Sequence, residues 1–368
     1  MKIRLAQRNK AGIALIVVML AITVLSVFAG LFAARMRVET QLARNTSYET
    51  ELEWMGRSGV ELARYLVAQQ SRLANEGRYT ALKQRWAGGP GGTNDDYLAP
   101  IVIDHHPLPP GDISIRVIDM ERKLSINSLY PQTDYAKRIL NDALTLCGAS
   151  ELDRTMLADA LQDWLDPDSN SSLQGAENDY YLAQPVPYFA KNGMIDEMTE
   201  LLLLKGMTPE IFWGPSGAGS LGVSIDPVAN YVRPDPMRMD QTLASVGMID
   251  LFTAMNFSGL VNPNTASQEV LTLVMENDPT LAAEVIRQRR GYDGVDGTED
   301  DVPFESPQLA AGVAGIGGGS VAGRMTTMSM TFQVFVEARI GTARREFVAI
   351  FNRAENPSDP VIKFFHWR

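Results

Sequence analysis

Hydrophobic and polar positions along the chain fall into three regimes. From Ile13 to Ala34 no charged residue interrupts an apolar run. A run of that length can cross a bilayer as a helix, which takes roughly 20 residues. Beyond Val38 the apolar positions thin to a stripe at helical spacing: Leu42, Leu52, Trp54, Val60, Leu62, Tyr65, Leu66 and Val67, with no proline before Pro90. The pattern predicts one long helix, its first part suited to lipid and its second, Val38 to Gln70, amphipathic. Gly56 and Gly59 are points where it can kink or fray, and Gly88-Gly89-Pro90-Gly91-Gly92 breaks the segment.

After that break the period changes to two. Ile113 to Asp119 alternates apolar and polar positions and reads as a strand, with Lys123 to Asn127 a second short extended piece. A helical block follows. Tyr135 to Cys147 is amphipathic. The next helix opens with Ser150 three residues before Asp153, an N-cap arrangement, and is expected to bury Leu152, Met156, Leu157, Leu161, Trp164 and Leu165. Asp196 to Leu204, Asn264 to Met275 and Thr280 to Arg290 are further expected helices, and Pro/Gly punctuation marks Gly214 to Pro236 as a connection. Period two returns in Ser329 to Ile340 and Arg344 to Phe351, a hairpin around Gly341-Thr342. The order helix, strands, helices, strands predicts an α+β fold: a long N-terminal transmembrane helix and a small antiparallel sheet, with a large all-α domain inserted into it.

Charge sharpens this division. The first 38 residues hold six bases and no acid, which leaves 27 of the 33 basic residues against all 44 acids, a formal net of about −17 for the remainder. A body that acidic is poorly suited to gripping phosphate backbones, so nucleic acid is not expected as a partner; cations and basic surfaces fit better. Cys147 is the one cysteine, so no internal disulfide can help an exported body and packing must stabilise it.

The extreme N-terminus is arranged unusually. Lys2, Arg4, Arg8 and Lys10 lead to Ala11-Gly12, which abuts the apolar run directly. Ordinary secretory signals place a small-residue cleavage site after a shorter apolar stretch. This layout resembles a prepilin leader, cut between Gly12 and Ile13 so that the apolar helix remains as an anchor. Signal-peptidase cleavage after Val27-Phe28-Ala29, giving a soluble chain from Gly30, is one alternative; an uncleaved signal anchor is another. In each case the basic residues hold the leader on the cytoplasmic side and the bulk of the chain is exported.

Several stretches, in order, resemble the type II secretion system minor pseudopilin K family. Ile13-Ala14-Leu15-Ile16-Val17 puts Val17 at the fifth position after the cut, where most pilins carry Glu and this family does not. Lys123 to Leu129, Asp163-Trp164-Leu165-Asp166-Pro167-Asp168 and Gly175 to Tyr181 match its recognisable blocks. Pro187-Tyr188, Glu200 to Thr208, Asn262-Pro263-Asn264-Thr265-Ala266, Phe332 to Phe351 and the terminal Trp367-Arg368 continue the match. The resemblance implies a leader at 1–12, a transmembrane helix at 13–36, and a pilin-like helix and first strands at 37–127. An inserted helical domain at 128–290 and an acidic loop with closing strands at 291–368 complete the layout. It implies processing by prepilin peptidase with N-terminal methylation. It also implies a single-pass place in the inner membrane with the body in the periplasm, partnership with minor pseudopilins I and J and other pseudopilins, and a tip role that starts or caps the pseudopilus. A Glu buried in lipid is costly and is offset in a fibre by a neighbour's N-terminal ammonium; a subunit with Val17 forgoes both, which suits a tip with nothing above it.

Asp166, Asp168, Glu177 and Asp179 bracket the polar loop Ser169 to Gly175. Closely spaced carboxylates are hard oxygen ligands suited to Ca²⁺, although the spacing is not that of an EF-hand. Asn170 and Asn178 could supply neutral oxygens; the family resemblance supports calcium at these four acids, although Asn178 stands where the family often has Asp, and a solvated acidic loop is the plain alternative. A second acidic stretch, Asp293, Asp296, Glu299, Asp300 and Asp301, reads as a mobile insertion or another ion site. Catalysis has little support. His105 and His106, beside Asp104, lie in a Pro-rich loop, and the glycine runs at 216–219 and 315–323 lack the Lys-Ser/Thr of a P-loop. Leu201 to Ile211 resembles half of a helix-hairpin-helix but reads as core packing in these acidic surroundings. A non-enzymatic assembly subunit is therefore expected. A minor type IV pilin and a membrane-anchored calcium-dependent periplasmic protein are the alternatives.

Overall fold

The structure is a computed structural model that describes residues 11–73, 76–91, 98, 101–214, 246–313, 315, 319–353 and 359–367. The leader residues 1–10, and most of the Pro/Gly-punctuated connection, lie outside the described residues.

Helix α1 runs unbroken from Ala11 to Gln70. Its first part is apolar on every side and touches nothing: Leu15, Ile16, Leu25, Phe28 and Phe32 are all exposed. Beyond it, one stripe closes onto a sheet. Leu52, Met55, Val60, Ala63, Leu66 and Val67 are buried against Ile113, Ile115, Val336, Phe347 and Phe351, each full burial stabilising by about 1.5–3 kcal/mol for the larger side chains. Leu42, Trp54 and Tyr65, counted in the sequence as part of that stripe, point away and are exposed. The helix continues without a break through Gly56 and Gly59. Both glycines face the sheet, where a Cβ would lie 2.2 Å from the Phe347 ring and 2.5 Å from Val336 Cγ1 respectively. They are there for close approach rather than for bending.

Strands β1 (His106–Leu108) and β2 (Gly111–Asp119) open the sheet. Two residues of β3 (Leu124–Ser125) leave it and pair in parallel with β4 (Phe252–Thr253); the expected extended piece at Lys123 to Asn127 holds through Ser125 and then turns at Ile126 into a 3-10 turn. The sheet resumes with β5 (Thr331–Ile340), β6 (Ala343–Asn352) and β7 (Val361–Trp367) in the antiparallel order β1-β2-β5-β6-β7. Ile340 pairs with Ala343 across the Gly341-Thr342 turn.

Between β2 and β5 lies the helical unit. It contains α2 (Asp134–Leu146), α3 (Glu151–Leu165), α4 (Asn178–Tyr181), α5 (Pro209–Trp213) and α6 (Met248–Leu251). Helices α7 (Gln268–Val274), α8 (Pro279–Arg289), α9 (Pro307–Val313) and α10 (Gly319–Ala322) complete it. Ser150 caps α3 by accepting from Asp153 N. Leu152, expected inside, is exposed, while Leu157, Leu161, Trp164 and Leu165 are buried. The segment expected as a helix at Asp196 to Leu204 is a 3-10 stretch, Met198–Leu203. Leu201, Leu204 and Ile211 enter the core, consistent with packing rather than a nucleic-acid motif. One hydrophobic core runs from Leu124 to Met325 and includes Phe304, Ala310 and Val321. The unit therefore closes well beyond residue 290, where the sequence pattern placed its end, because α9 and α10 supply apolar faces to it.

Sheet and helical unit meet in a buried polar junction. Asn262 Nδ2 donates to Thr80 O, Asp119 Oδ2 and Ser329 Oγ at 2.8–3.0 Å. Arg353 Nη2 donates to Thr80 Oγ1 at 2.8 Å, and Asn264 exchanges bonds with the main chain of Phe304. The junction lies at the end of the sheet marked by Asp119, Thr331 and Arg353, and Thr80 reaches it shortly after α1 has stopped.

Candidate functional site

Helix α3 ends at Leu165, and the chain turns at once into the acidic loop. Asp166, Asp168 and Glu177 converge there, with ligand-capable oxygens all within 4.8 Å of one another. The loop is pinned from below. Ser172 N donates to both carboxylate oxygens of the buried Asp163 at 3.0–3.1 Å, and Gln174 N donates to Asp159 Oδ2 at 3.0 Å. Gly175 lies so close to Asp163 that a Cβ would stand 1.9 Å from Oδ2, so any larger residue would push the Asp163 carboxylate out of place. Lys205 Nζ donates to the carbonyls of Gln174 and Gly175 at 3.0 and 2.9 Å.

Within this frame the carboxylates are under-satisfied. Asp166 Oδ1 and both Glu177 carboxylate oxygens are buried without a hydrogen-bond partner, as is Asn192 Oδ1. Burial raises the Asp166 carboxyl above its ordinary value, helped by the charges of Asp168 and Asp163. Burial also raises Glu177, opposed by the facing Asn192 amide and reinforced by Asp163 and Asp166. Native structures rarely leave buried polar atoms orphaned, and the donor set is all hard oxygen with no thiol or imidazole, so the residues fit a bound Ca²⁺.

Not every expected ligand joins. Asp179 is exposed in the first turn of α4, outside the cluster, because the helix turns its side chain away from Glu177. Asn178 Oδ1 accepts from Ala190 N at 2.9 Å, and Asn170 donates twice to Asp168 Oδ1. Asn192 was missed by sequence. It comes from the next loop in left-handed backbone (φ 47°), its Nδ2 donating to the Asp168 carbonyl, and only that long-range turn brings it in.

The second acidic stretch, expected to be mobile or ion-binding, is tied down by ion pairs and main-chain bonds. Asp296 is held by Arg289 Nε at 2.8 Å and Arg290 Nη2 at 2.9 Å, and these cations outweigh the raising effect of burial and lower its carboxyl. Asp300 Oδ2 accepts from Tyr292 N and Asp293 N, and Asp301 Oδ2 from Gly297 N. His105 is exposed and bonded to Asp112 at 3.0 Å, with no converging third ligand among the described residues. Gly12 and Ile13 lie within the first turns of α1, ahead of a stretch long and apolar enough to cross a membrane.

A helix long and apolar enough to span a membrane continues onto an antiparallel sheet, with a helical unit let into that sheet. Residues 122–213 match the family model described as type II secretion system (T2SS), protein K. The chain is 25% identical over 360 residues to type II secretion system protein K of Pseudomonas aeruginosa, covering 95% of this chain and 91% of that one. It is 26% identical over 213 residues to the protein of that name from Klebsiella pneumoniae, covering 55% and 60%. The fold matches a chain of the GspK-GspI-GspJ complex of the enterotoxigenic Escherichia coli type 2 secretion system. The TM-score is 0.61 at 16% identity, covering 89% of this chain and 99% of that one. In its matched domain, along most of its sequence and in its fold, the chain is similar to type II secretion system protein K.

Proposed function

We propose that this chain is a non-enzymatic subunit of the inner membrane with its body in the periplasm, released from its leader by prepilin peptidase between Gly12 and Ile13 and then N-methylated. It stands at the tip of the secretion pseudopilus and starts or caps its assembly together with minor pseudopilins I and J, the association named for the structurally similar complex. The observation that carries the reading is the position of the helical unit. It is inserted between β2 and β5 and joins the sheet at the end that α1 has already passed. The α1–sheet half offers what a fibre needs, while a unit that large beyond the end of the helix blocks another copy from stacking above. Val17, apolar at the fifth position, fits a subunit with no neighbour above to pair with a buried Glu.

Asp166, Asp168 and Glu177 hold the calcium ion in this reading. The cation relieves the repulsion among the three carboxylates and fastens the loop between α3 and α4. The deciding experiment is sequencing of the mature N-terminus from membranes with and without prepilin peptidase, followed by co-purification with the soluble bodies of pseudopilins I and J. A start at Ile13 that depends on the peptidase, and a stable ternary complex, are expected. An intact Met1, a start at Gly30, or no complex would sink the tip assignment.

A further inference from the structure

Two carboxyl groups lie buried side by side at the polar junction, and the donors there are shared between them unequally. Asp119, the last residue of β2, accepts from Glu121 N at 2.9 Å through Oδ1. Its Oδ2 accepts from Asn262 Nδ2 at 3.0 Å, Thr265 Oγ1 at 2.5 Å and Ser329 Oγ at 2.6 Å. Glu121, in the turn that follows, is fully buried; Oε2 accepts from Thr331 N at 3.1 Å and Oε1 has no donor. Among the nearby cations, Arg353 faces the charges of both Asp119 and Glu121, while its hydrogen bonds go to other acceptors. Arg353, after β6, donates to Ser329 O and Thr80 Oγ1. Lys123 Nζ donates to Ile249 O at 2.7 Å. Arg122 faces Asp119, Arg289, Asp296 and Asp250.

We propose that Glu121 is a neutral, protonated acid in the folded chain, its proton directed at Asp119, and that this proton latches the helical unit onto the sheet. An ionised Glu121 would put a second buried negative charge beside a carboxylate that already takes four donors, with an oxygen left unpaired. Burial first, and the Asp119 charge second, push its carboxyl up to about 8. Glu121 also stands at the point where the two halves are tied: its carbonyl accepts from Asn262 N at 2.8 Å and its side chain from the first residue of β5. The folded value lies above the unfolded one, so the latch contributes fully below about pH 4.5 and is lost as pH rises through about 8.

The test uses the full chain in detergent. A protonated-carboxyl stretch in the infrared spectrum, identified by its absence in Glu121→Gln, is expected near neutral pH and should disappear in mildly alkaline buffer. Between about pH 5 and 7.5 the wild-type unfolding constant carries an extra tenfold rise per pH unit that Glu121→Gln lacks. Absence of that band at neutral pH, or identical pH slopes in the two proteins, overturns the proposal. Should Glu121→Gln fail to fold, Asp119→Asn serves instead. Removing the neighbouring charge must move the loss of the band to lower pH, and an unchanged or higher midpoint refutes the shared-proton geometry.

Discussion

Replacing Gly56 by Ala tests how closely α1 is seated on the sheet. The added Cβ would lie 2.2, 2.3 and 2.5 Å from three atoms of the Phe347 ring. Carbon atoms in contact prefer about 3.5–4.0 Å, so helix or ring must yield by more than about 1 Å. The ring cannot yield easily, because Phe347 is fully buried and stacks on Phe365 with centroids 5.9 Å apart. Overpacking of this kind costs about 1–3 kcal/mol. Lifting the helix also loosens Leu52, Met55, Val60 and Ala63, which share the contact. Against this, Ala is favoured over Gly in a helix interior by about 1 kcal/mol. A net loss of about 2 kcal/mol is expected in denaturant unfolding of the full chain, followed by Trp fluorescence; Trp86 packs edge-on against Phe332 in the same core. Gly30→Ala is the internal control: nothing lies within 4 Å of its Cβ, so it should be neutral or mildly stabilising. Combining Gly56→Ala with Phe347→Leu should recover part of the loss, a coupling of about 1 kcal/mol. Equal stability of Gly56→Ala and wild type, or strict additivity in the double variant, refutes the close seating.

Asn192→Ala should weaken calcium binding about tenfold in titration calorimetry, because it removes the facing amide from two under-satisfied carboxylates; unchanged affinity means the amide merely shapes the loop. Asp296→Asn leaves Arg289, 5% exposed, without its charged partner and should cost about 3 kcal/mol, whereas Glu299→Gln should change stability by less than about 0.5 kcal/mol. A similar small effect from both would show that the second acidic loop is held by its main-chain bonds alone.

Some features were legible because they depend on local chemistry. The Ser150 cap, the hairpin at Gly341-Thr342 and the helix limits near Asp134 and Arg289 follow from side chains a few residues apart. Leu152 and Trp54 show where periodicity failed: each sits at an apolar position on its own helix, yet no neighbouring element covers it. The acidic cluster was three-quarters readable. Asp166, Asp168 and Glu177 are neighbours along the chain, but Asp179 was lost to the turn of α4 and Asn192 gained from a different loop.

The sequence by itself determined the long apolar helix, the α+β order and the resemblance to protein K, since an uninterrupted apolar run, the switches between periods of two and 3.6, and ordered local motifs are properties of the chain alone. Tertiary structure decided the rest. Gly56 and Gly59 are contact points because a strand from far along the chain lies against them. Asp296 is an ion-pair partner because α8 presents two arginines to it. Asp119 and Glu121 compete for donors because Asn262, Thr265, Ser329 and Thr331, distant in sequence, all arrive at one buried place. Burial and charge proximity set those roles, and both are properties of the assembled molecule.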